Sequence, residues 1–357
     1  MAATAPQTTG SPLTGSPPTR GPIPLTPGRI AVLVVGVPLC LGLIAYNGFN
    51  LVANFAEGRY SVSYTAPAST KSLTVSSDGG QLSIKPAATG GATLTGTAHY
   101  TFVRSKLTER TAAAGGTALG YHCAESWVGN CALDATISLP ATMPVTASTA
   151  GGDATVTGIS APVRLSSGGG NLSADHTSGL LSLDTSGGDI SVTTVTAPTV
   201  TASSGGGNIT VSGVSSPEIT ANTSGGDIQA TAVTSSRVTA SSGGGNITVS
   251  GVSSPEITAN TSGGDIQATA VTSNTVTATS GGGNIEIDFA AVPGNVEVNT
   301  SGGDITLVLP PGGTQYRITA HTDGGSVSDS SVPENTSSKH VITVTTGGGN
   351  ITIVSQQ

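Results

Sequence analysis

Two adjacent segments of this sequence are almost identical, and this repeat restricts the possible folds more than any other feature. Residues 203–240 and 241–278 differ at two of 38 positions, where Ser236 and Arg237 are replaced by Asn274 and Thr275. Each string is itself two related strings of 19 residues. Periodicity of this kind indicates a solenoid, a propeller or another array of stacked units. Because glycine and β-branched residues are abundant in the repeat, the units are built from strands and not from helices.

The spacing of the hydrophobic residues favours the solenoid. The residue that starts each Val/Ile-Thr-Ala strand lies nine residues before the hydrophobic residue that follows the glycine pair, as in Val200 to Ile209. This nine-residue arc recurs from Val145 onwards and appears once more at Leu73 to Leu82. The remainder of each unit varies in length, and successive units are 20, 22 and 24 residues apart toward the C-terminus, as expected for loop insertions. A constant arc is what coils stacked about 4.8 Å apart require.

We therefore predict an all-β fold, a single-stranded parallel β-solenoid with coils of about 19 residues, preceded by one transmembrane helix. A propeller with one four-stranded blade per 38-residue string is the alternative. Strand alternation places Ile209 and Val211 in the core, with Thr210 and Ser212 facing solvent. The glycine pairs are expected to turn the corner of each coil with positive φ. These structural turn glycines are Gly206, Gly207, Gly225, Gly226, Gly244, Gly245, Gly263 and Gly264.

The polar residue after each glycine pair alternates between Asp and Asn, and stacking would place these residues in one column. The column contains Asp189, Asn208, Asp227, Asn246, Asp265, Asn284 and Asp304. Each interposed Asn would hold neighbouring carboxylates about 9–10 Å apart, which limits their repulsion. Calcium binding is the alternative, with Asp189, Asp227, Asp265 and Asp304 as weak candidate ligands. A structural ladder is favoured, because each turn offers one such side chain and calcium takes about six to eight oxygens.

Two further columns follow from the same stacking. Glu218, Arg237 and Glu256 would form a surface ion-pair ladder, with the arginine between two carboxylates. Outward threonines would form flat Thr-x-Thr ranks similar to those of ice-binding proteins. That rank includes Thr220, Thr239 and Thr258. Since threonine is also the most common polar strand former, the rank has a purely structural interpretation as well.

The N-terminal part of the chain contains one long apolar segment. It runs without a charge from Ile30 to Tyr46 and extends weakly to about Ala53, close to the length of about 20 residues that crosses a bilayer. Arg20 and Arg29 precede it, so we expect the N-terminus to be cytoplasmic and the remainder extracytoplasmic at the cell membrane. A cleaved signal peptide is the alternative. The predicted organisation is a disordered cytoplasmic tail (1–28), a transmembrane anchor (29–53), a lead-in β region with the first coil and a disulfide-bearing cap (54–144), and the solenoid repeat domain (145–357).

Cys123 and Cys131 are separated by seven residues within the predicted exported part. In an oxidising compartment such a pair forms a disulfide. Metal binding is the alternative, for which the adjacent His122 is the one obvious further ligand. We predict the disulfide, no metal and no cofactor.

Charge and motifs narrow the classes of function. No stretch carries the cluster of Lys and Arg that binding to nucleic acid requires, so no nucleic-acid partner is expected. Neither a Gly-x-Ser-x-Gly elbow nor a His-Glu-x-x-His motif occurs, and the five histidines lie outside the fixed columns of the repeat. The sequence therefore predicts a protein that is not an enzyme.

Three parts of the sequence together resemble a known family. They are residues 73–84, residues 137–153 and the Ser-Gly-Gly-Asp/Asn-Ile coils. They are similar to the bacterial putative-adhesin β-strand-repeat family of envelope proteins, which is defined by a domain of unknown function. The resemblance implies a parallel β-solenoid on the envelope, often beside a membrane span. We expect a surface module for adhesion or envelope interaction, with cell-wall glycan or a surface protein as partner. The alternatives are envelope-stress sensing through a membrane partner and ice binding through the threonine face.

Overall fold

The computed structural model describes Leu39, Leu43 and residues 57–87, 90–101, 104–123, 131–329 and 331–356. The chain divides into two compact units, Met1–Phe55 and Ala56–Gln357. The predicted tail and transmembrane anchor lie outside the described residues, apart from the two leucines. Within the described ranges, no helix is both long and apolar enough to cross a membrane.

In its described residues the second unit is all-β, with one sheet of 15 strands and another of 14 strands. In the regular part, each coil contributes one strand to each sheet. The coil strands are β8 (Val145–Thr149), β9 (Ala154–Thr157), β10 (Val163–Ser167), β11 (Leu172–Asp175), β12 (Leu181–Thr185), β13 (Ile190–Thr193), β14 (Thr199–Ser204), β15 (Ile209–Ser212), β16 (Ser215–Thr223), β17 (Ile228–Thr231), β18 (Thr234–Ser242), β19 (Ile247–Ser250), β20 (Glu256–Thr261), β21 (Ile266–Val271), β22 (Thr275–Ser280), β23 (Ile285–Phe289), β24 (Asn295–Thr300) and β25 (Ile305–Leu309).

Successive coils pair in parallel and in register. Val200 is opposite Ile219 in the second sheet, and Ile209 is opposite Ile228 in the first sheet. The two strands that the nine-residue arc joins thus lie in different sheets. The predicted parallel solenoid is confirmed, and the propeller is wrong because the strands of one 38-residue string do not form a blade.

The core is a stack of side chains between the two sheets. Ile209 and Val211 are at most 1% exposed, and the intervening Thr210 is half-buried, as the alternation predicts. Residues in one core column alternate in size: Ala230 lies between Val211 of the preceding coil and Val249 of the following coil. A small residue beside each larger one keeps the stack filled with very few aromatic side chains.

The N-terminal end has a coil order that differs from the sequence order. Its strands are β1 (Glu57–Thr65), β2 (Leu73–Ser77), β3 (Leu82–Pro86), β4 (Thr93–Thr101), β5 (Leu107–Ala112), β6 (Gly116–Tyr121) and β7 (Cys131–Leu139). The β2–β3 coil stacks on β8–β9, with Leu73 opposite Val145. The β6–β7 coil comes later in the chain but lies on the outer side of β2–β3, with Leu73 opposite Thr117. Strands β4 and β1 then extend the first sheet in antiparallel pairing, and β5 extends the second sheet in the same way.

The C-terminal end has the same inversion. Its strands are β26 (Arg317–Thr322), β27 (Val327–Ser328), β28 (Val341–Thr346) and β29 (Ile351–Ser355). The last two coils do not stack in sequence order. Ile342 pairs with Val296 on one side and with Ile318 on the other, so the final coil in the sequence is the penultimate layer. The physical reason is burial: Ile342 is fully buried between two layers, whereas Ile318 in the outermost layer is only half-buried.

Candidate functional site

The most ordered polar feature of the second unit is the edge where each coil turns at its glycines. In the regular coils, from β8 to β24, a buried hydroxyl ends each strand of the second sheet and holds this turn. Ser204 Oγ accepts a hydrogen bond from the Gly207 N–H (2.9 Å) and donates to the Gly188 carbonyl of the preceding coil (2.9 Å). Thr223 makes the same pair of bonds, at 3.1 Å to the Gly226 N–H and 2.9 Å to the Gly207 carbonyl. Each hydroxyl therefore stabilises its own turn and ties it to its neighbour.

The predicted Asp/Asn column lies just outside these hydroxyls. The backbone N–H of each member donates to the side-chain Oδ1 of the member before it. The Asn208 N–H lies 2.7 Å from Asp189 Oδ1, and the Asp227 N–H lies 2.8 Å from Asn208 Oδ1. An amide oxygen and a carboxylate oxygen accept this bond equally well, so alternation of the two costs no hydrogen bond and keeps the charges apart.

The column is longer than the sequence pattern indicates. Its members, in spatial order, are Asp134, Gln81, Asp153, Asn171, Asp189, Asn208, Asp227, Asn246, Asp265, Asn284, Asp304 and Asn350. Acid and amide alternate without a break in this order, whereas in chain order Asp134 and Asp153 would be neighbours at the N-terminal end. At the C-terminal end the Asn350 N–H donates to Asp304 Oδ1 (2.6 Å), and the Ser326 N–H donates to Asn350 Oδ1 (3.1 Å).

The turn glycines act through close approach and not through positive φ, so that part of the prediction is wrong. The backbone at Gly206, Gly207, Gly225, Gly226, Gly244, Gly245, Gly263 and Gly264 is not in the left-handed region. Instead, the second glycine of each pair packs on the backbone of the preceding coil. A Cβ on Gly226 would lie 2.2 Å from the Gly207 carbonyl oxygen, whereas a Cβ on Gly225 would meet nothing nearer than 3.8 Å. The layer spacing leaves no room for a side chain at the second position.

The four weak calcium candidates are all members of the column. Asp189, Asp227, Asp265 and Asp304 each accept a backbone N–H from the next coil, at 2.6 to 2.7 Å. Among the described residues, no three His, Cys, Asp or Glu side chains are grouped so that they could hold a metal ion.

The charged column is only partly an ion-pair ladder. Glu218, Arg237 and Glu256 occupy adjacent register positions. Arg237 Nη2 and Nε lie 2.8 and 3.1 Å from Glu256 Oε2. Glu218 makes no ion pair within the described part of the chain, so the arginine is not bridged by two carboxylates. One guanidinium satisfies its donors best on a single carboxylate, and exposed pairs of this kind contribute little to stability.

The disulfide between Cys123 and Cys131 is present. It closes the extra length of the β6–β7 coil, in which 18 residues separate Thr117 from Ala135, twice the usual arc. His122 Nδ1 lies 2.8 Å from Asp78 Oδ1, and the Cys123 N–H donates to Asp78 Oδ2 (2.8 Å). Burial raises the pKa of Asp78, but these hydrogen bonds and the nearby imidazole outweigh it and leave the pKa below its ordinary value. The metal alternative is therefore wrong, because both sulfurs are joined to each other.

The outward threonines form a flat rank on the second sheet. Thr220 is in register with Thr201 on one side and Thr239 on the other, and Thr258 and Thr277 continue the line. The opposite face carries a similar rank, in which Thr248 lies between Gln229 and Gln267. Both ranks are polar and uncharged over at least six coils, from Ser182 to Thr277 on the second sheet and from Thr155 to Gln267 on the first sheet. Arg164, Glu297 and Glu286 occupy the next positions of these ranks.

A second site, which the sequence analysis did not single out, lies at the N-terminal end of the stack. A cavity of about 480 Å³ opens between the edge strands β1 and β5. We define the N-terminal end face by six of its lining residues, Tyr60, Tyr64, Arg104, Lys106, Leu107 and Glu109. The concentration of tyrosines in the lead-in region, within a chain that is 3% aromatic, was the signal available in the sequence.

The tyrosines of this end face connect the two sheets. The Tyr60 hydroxyl donates to the Ser105 carbonyl, and the Tyr64 hydroxyl donates to Glu109 Oε1 (2.5 Å). The Arg104 guanidinium lies 3.9 Å from the centre of the Tyr60 ring, in cation–π contact. Burial and the Glu109 carboxylate raise the pKa of Tyr64 to about 12.

Comparison with known proteins finds one family model and several solved structures that are similar to this chain. Residues 190–354 match the family Toastrack DUF4097, a domain of unknown function, and the predicted resemblance is confirmed for this segment. No curated protein has a matching sequence. The crystal structure of a putative adhesin from Bacteroides fragilis NCTC 9343 is similar with 15% identity over 70% of this chain and 96% of that chain, at a TM-score of 0.38. Putative adhesins from Parabacteroides merdae ATCC 43184 (10% identity, 84% and 96% covered, TM-score 0.39) and Parabacteroides distasonis ATCC 8503 (12% identity, 82% and 96% covered, TM-score 0.40) are also similar. Scores at this level carry no inference about activity.

Proposed function

We propose that this protein is a membrane-anchored, extracytoplasmic β-solenoid that acts as a non-catalytic module for adhesion or envelope interaction. The observation that carries the proposal is the pair of flat outward faces. Each repeats polar, uncharged side chains at the strand spacing of about 4.8 Å over many coils. Such a surface suits a long, repetitive partner such as a cell-wall glycan, because contacts that are weak individually add along its length.

The chemistry of the polar residues supports a structural use of the carboxylates. Each column aspartate accepts a hydrogen bond from a backbone N–H of the next coil through one carboxylate oxygen. Each strand-end hydroxyl is hydrogen-bonded to its own turn and to the turn of the preceding coil. These side chains hold the layers together. The surface available to a partner is therefore the rank of threonine, serine, asparagine and glutamine on each face.

The disulfide supports the proposed location outside the cytoplasm. Structural disulfides such as Cys123–Cys131 form and persist in oxidising compartments and are rare in the cytosol. Together with the apolar segment from Ile30 to about Ala53 and the basic residues before it, this favours an anchored chain whose solenoid is exported.

Matched substitutions on the two faces test the proposal. Thr239 and Thr248 belong to the same coil, are both half-buried and lie on opposite sheets. We expect one face to bind the partner, so only one of the two single variants, Thr239→Arg or Thr248→Arg, should reduce adhesion of cells that display the full chain. Deletion of residues 60–357 should abolish adhesion.

Adhesion that survives the deletion would refute the proposal. If the deletion instead changed an envelope-stress reporter and left adhesion unaltered, the regulatory alternative would replace it. Ice growth measured with the Thr239→Arg protein decides the ice-binding alternative, which requires the threonine rank of the second sheet and would be excluded by unchanged growth.

A further inference from the structure

The charges of the second unit are divided between its two parts. Residues 57–112 contain six basic and three acidic residues, whereas residues 131–356 contain four basic and sixteen acidic residues. The six basic residues are Arg59, Lys71, Lys85, Arg104, Lys106 and Arg110, and all of them are exposed. A chain with a net charge of −8 therefore carries a basic N-terminal end.

The basic residues surround the aromatic end face defined above. Arg104 and Lys106 line the cavity together with Tyr60, Tyr64 and Leu107. Arg59 lies on β1 and Arg110 lies on β5, the edge strands on either side of it. Glu109 also lines the cavity; it accepts a hydrogen bond from the Tyr64 hydroxyl and keeps its negative charge, so the two basic lining residues outnumber one acidic residue. The result is a concave surface with an apolar and aromatic floor and a cationic rim.

This combination of residue types is typical of proteins at a membrane–water interface. Tyrosine rings prefer the headgroup level, where one end of the ring is apolar and the other is hydrated. Lysine and arginine near the surface are attracted to anionic lipids, about fivefold in population for each residue. Basic residues on edge strands can also serve only to prevent edge-to-edge pairing, and that explanation predicts no lipid dependence.

The position of the end face in the sequence favours the membrane as its partner. The proposed span ends at about Ala53 and β1 begins at Glu57, so three residues separate them. A chain of that length reaches at most about 14 Å, which is comparable to the Debye length of about 8–10 Å at physiological salt. Attraction to a charged bilayer is only partly screened at this range.

We propose that the N-terminal end face binds the anionic phospholipid headgroups of the bilayer in which the chain is anchored. The inference rests on the anchoring part of the proposed function. Tyr60, Tyr64 and Leu107 contact the headgroup level, and Arg104 and Lys106 pair with lipid phosphates. The first layer of the solenoid is then held against the membrane.

Lysine acetylation in the full chain tests this inference with an internal reference. The chain has four lysines, of which Lys106 belongs to the end face and Lys339 lies near the opposite end of the stack. The protein is reconstituted in nanodiscs of phosphatidylcholine alone or of phosphatidylcholine mixed with phosphatidylglycerol, and labelling rates are measured by mass spectrometry. We expect acetylation of Lys106 to slow by about fivefold or more in the anionic discs, and acetylation of Lys339 to stay unchanged. High salt should remove the difference.

A matched pair of variants locates the effect. Arg104→Gln should remove most of the protection of Lys106, whereas Arg317→Gln, in the outermost layer at the other end, should leave it intact. Equal Lys106 rates in the two discs would overturn the proposal, and so would equal protection of Lys339. Protection by inorganic phosphate in the absence of anionic lipid would also overturn it, since the site would then recognise free phosphate and not a membrane.

Failure of the anchor gives a different result. A chain that enters neither disc refutes the proposed anchoring and this inference together. A chain that enters both discs without any dependence on lipid charge refutes this inference alone.

Discussion

The glycine pair of each turn offers a direct test of the packing, because the preceding coil approaches its second member closely and its first member does not. Gly225 and Gly226 are neighbours in the same turn, and neither has a left-handed backbone. A Cβ at Gly226 would lie 2.2 Å from the Gly207 carbonyl oxygen, but a Cβ at Gly225 has no neighbour closer than 3.8 Å. We predict that Gly226→Ala strongly destabilises the solenoid and that Gly225→Ala does not.

The magnitude follows from what the added methyl group displaces. A Cβ and a carbonyl oxygen need about 3.0–3.4 Å, so the two coils must separate by about 1 Å at this turn. Three hydrogen bonds join these coils or close the turn, from the Thr223 hydroxyl to the Gly207 carbonyl, from the Gly226 N–H to Thr223 Oγ1, and from the Asp227 N–H to Asn208 Oδ1. Loss or lengthening of these bonds at about 0.5–1.5 kcal/mol each, with about 1–3 kcal/mol of overpacking, amounts to roughly 2.5–7.5 kcal/mol.

Urea unfolding followed by far-ultraviolet circular dichroism measures this difference. Gly225→Ala should unfold within about 1 kcal/mol of the wild type, with a slight gain possible from the reduced entropy of the unfolded chain. Since each coil contacts only its neighbours, Gly226→Ala should also broaden the transition as the stack divides at the damaged layer. Equal losses for the two variants, or a larger loss for Gly225→Ala, would refute the argument that close approach requires the second glycine.

Four further predictions concern the Asp/Asn column, the turn hydroxyls, the N-terminal end face and the disulfide. Asn246→Asp places three carboxylates in consecutive layers and should lower the free energy of unfolding by about 1–2 kcal/mol at neutral pH and low salt, with partial recovery at high salt, where exposed charges are screened; a loss that salt does not reduce would contradict the charge argument. Ser242→Ala removes the buried hydroxyl of one turn and should cost about 1–3 kcal/mol in urea unfolding, whereas the half-buried neighbour changed in Ser241→Ala should have little effect. Because the pKa of Tyr64 is raised to about 12, its contribution to stability is complete below the ordinary tyrosine pKa of about 10 and is lost as the pH rises toward 12; Tyr64→Phe should flatten that decline, and parallel pH profiles would contradict it. Cys123→Ser, which opens the disulfide, should cost about 2–3 kcal/mol by the loop-entropy relation, and reduction of the wild type should cause the same loss.

The regular part of the fold could be predicted from the sequence because its signals are local. A nine-residue arc, a period-2 alternation and a glycine pair recur in each coil, and strands with the same pattern can stack only in register without exposing their apolar residues. The column of Asp227, Asn246 and Asp265 followed from that register alone. The hydrogen bonds of this column to the backbone could not be predicted, because the sequence pattern does not show toward which layer a side chain points.

The role of the turn glycines was only half predictable. The sequence shows that Gly225 and Gly226 occupy a tight turn, for which positive φ is the common reason. The actual reason depends on how closely the preceding coil approaches at Gly207, and that distance is a property of the stack. The N-terminal end face was missed for a similar reason, since its residues are far apart in the sequence and meet only where β1 and β5 end their sheets.

The sequence by itself determined the coil, its period, its inward and outward faces and the alternation of charge along one edge. Only the tertiary structure decided the order of the layers at the two ends. Strands β26 and β28 carry the same alternating pattern, so either could stack on β24. The layer covered on both sides must be the more apolar one, and β28 with Ile342 and Val344 satisfies this better than β26 with Ile318 and Ala320. Burial of apolar surface therefore places the last coil of the sequence inside the stack and leaves the more polar coil at its end.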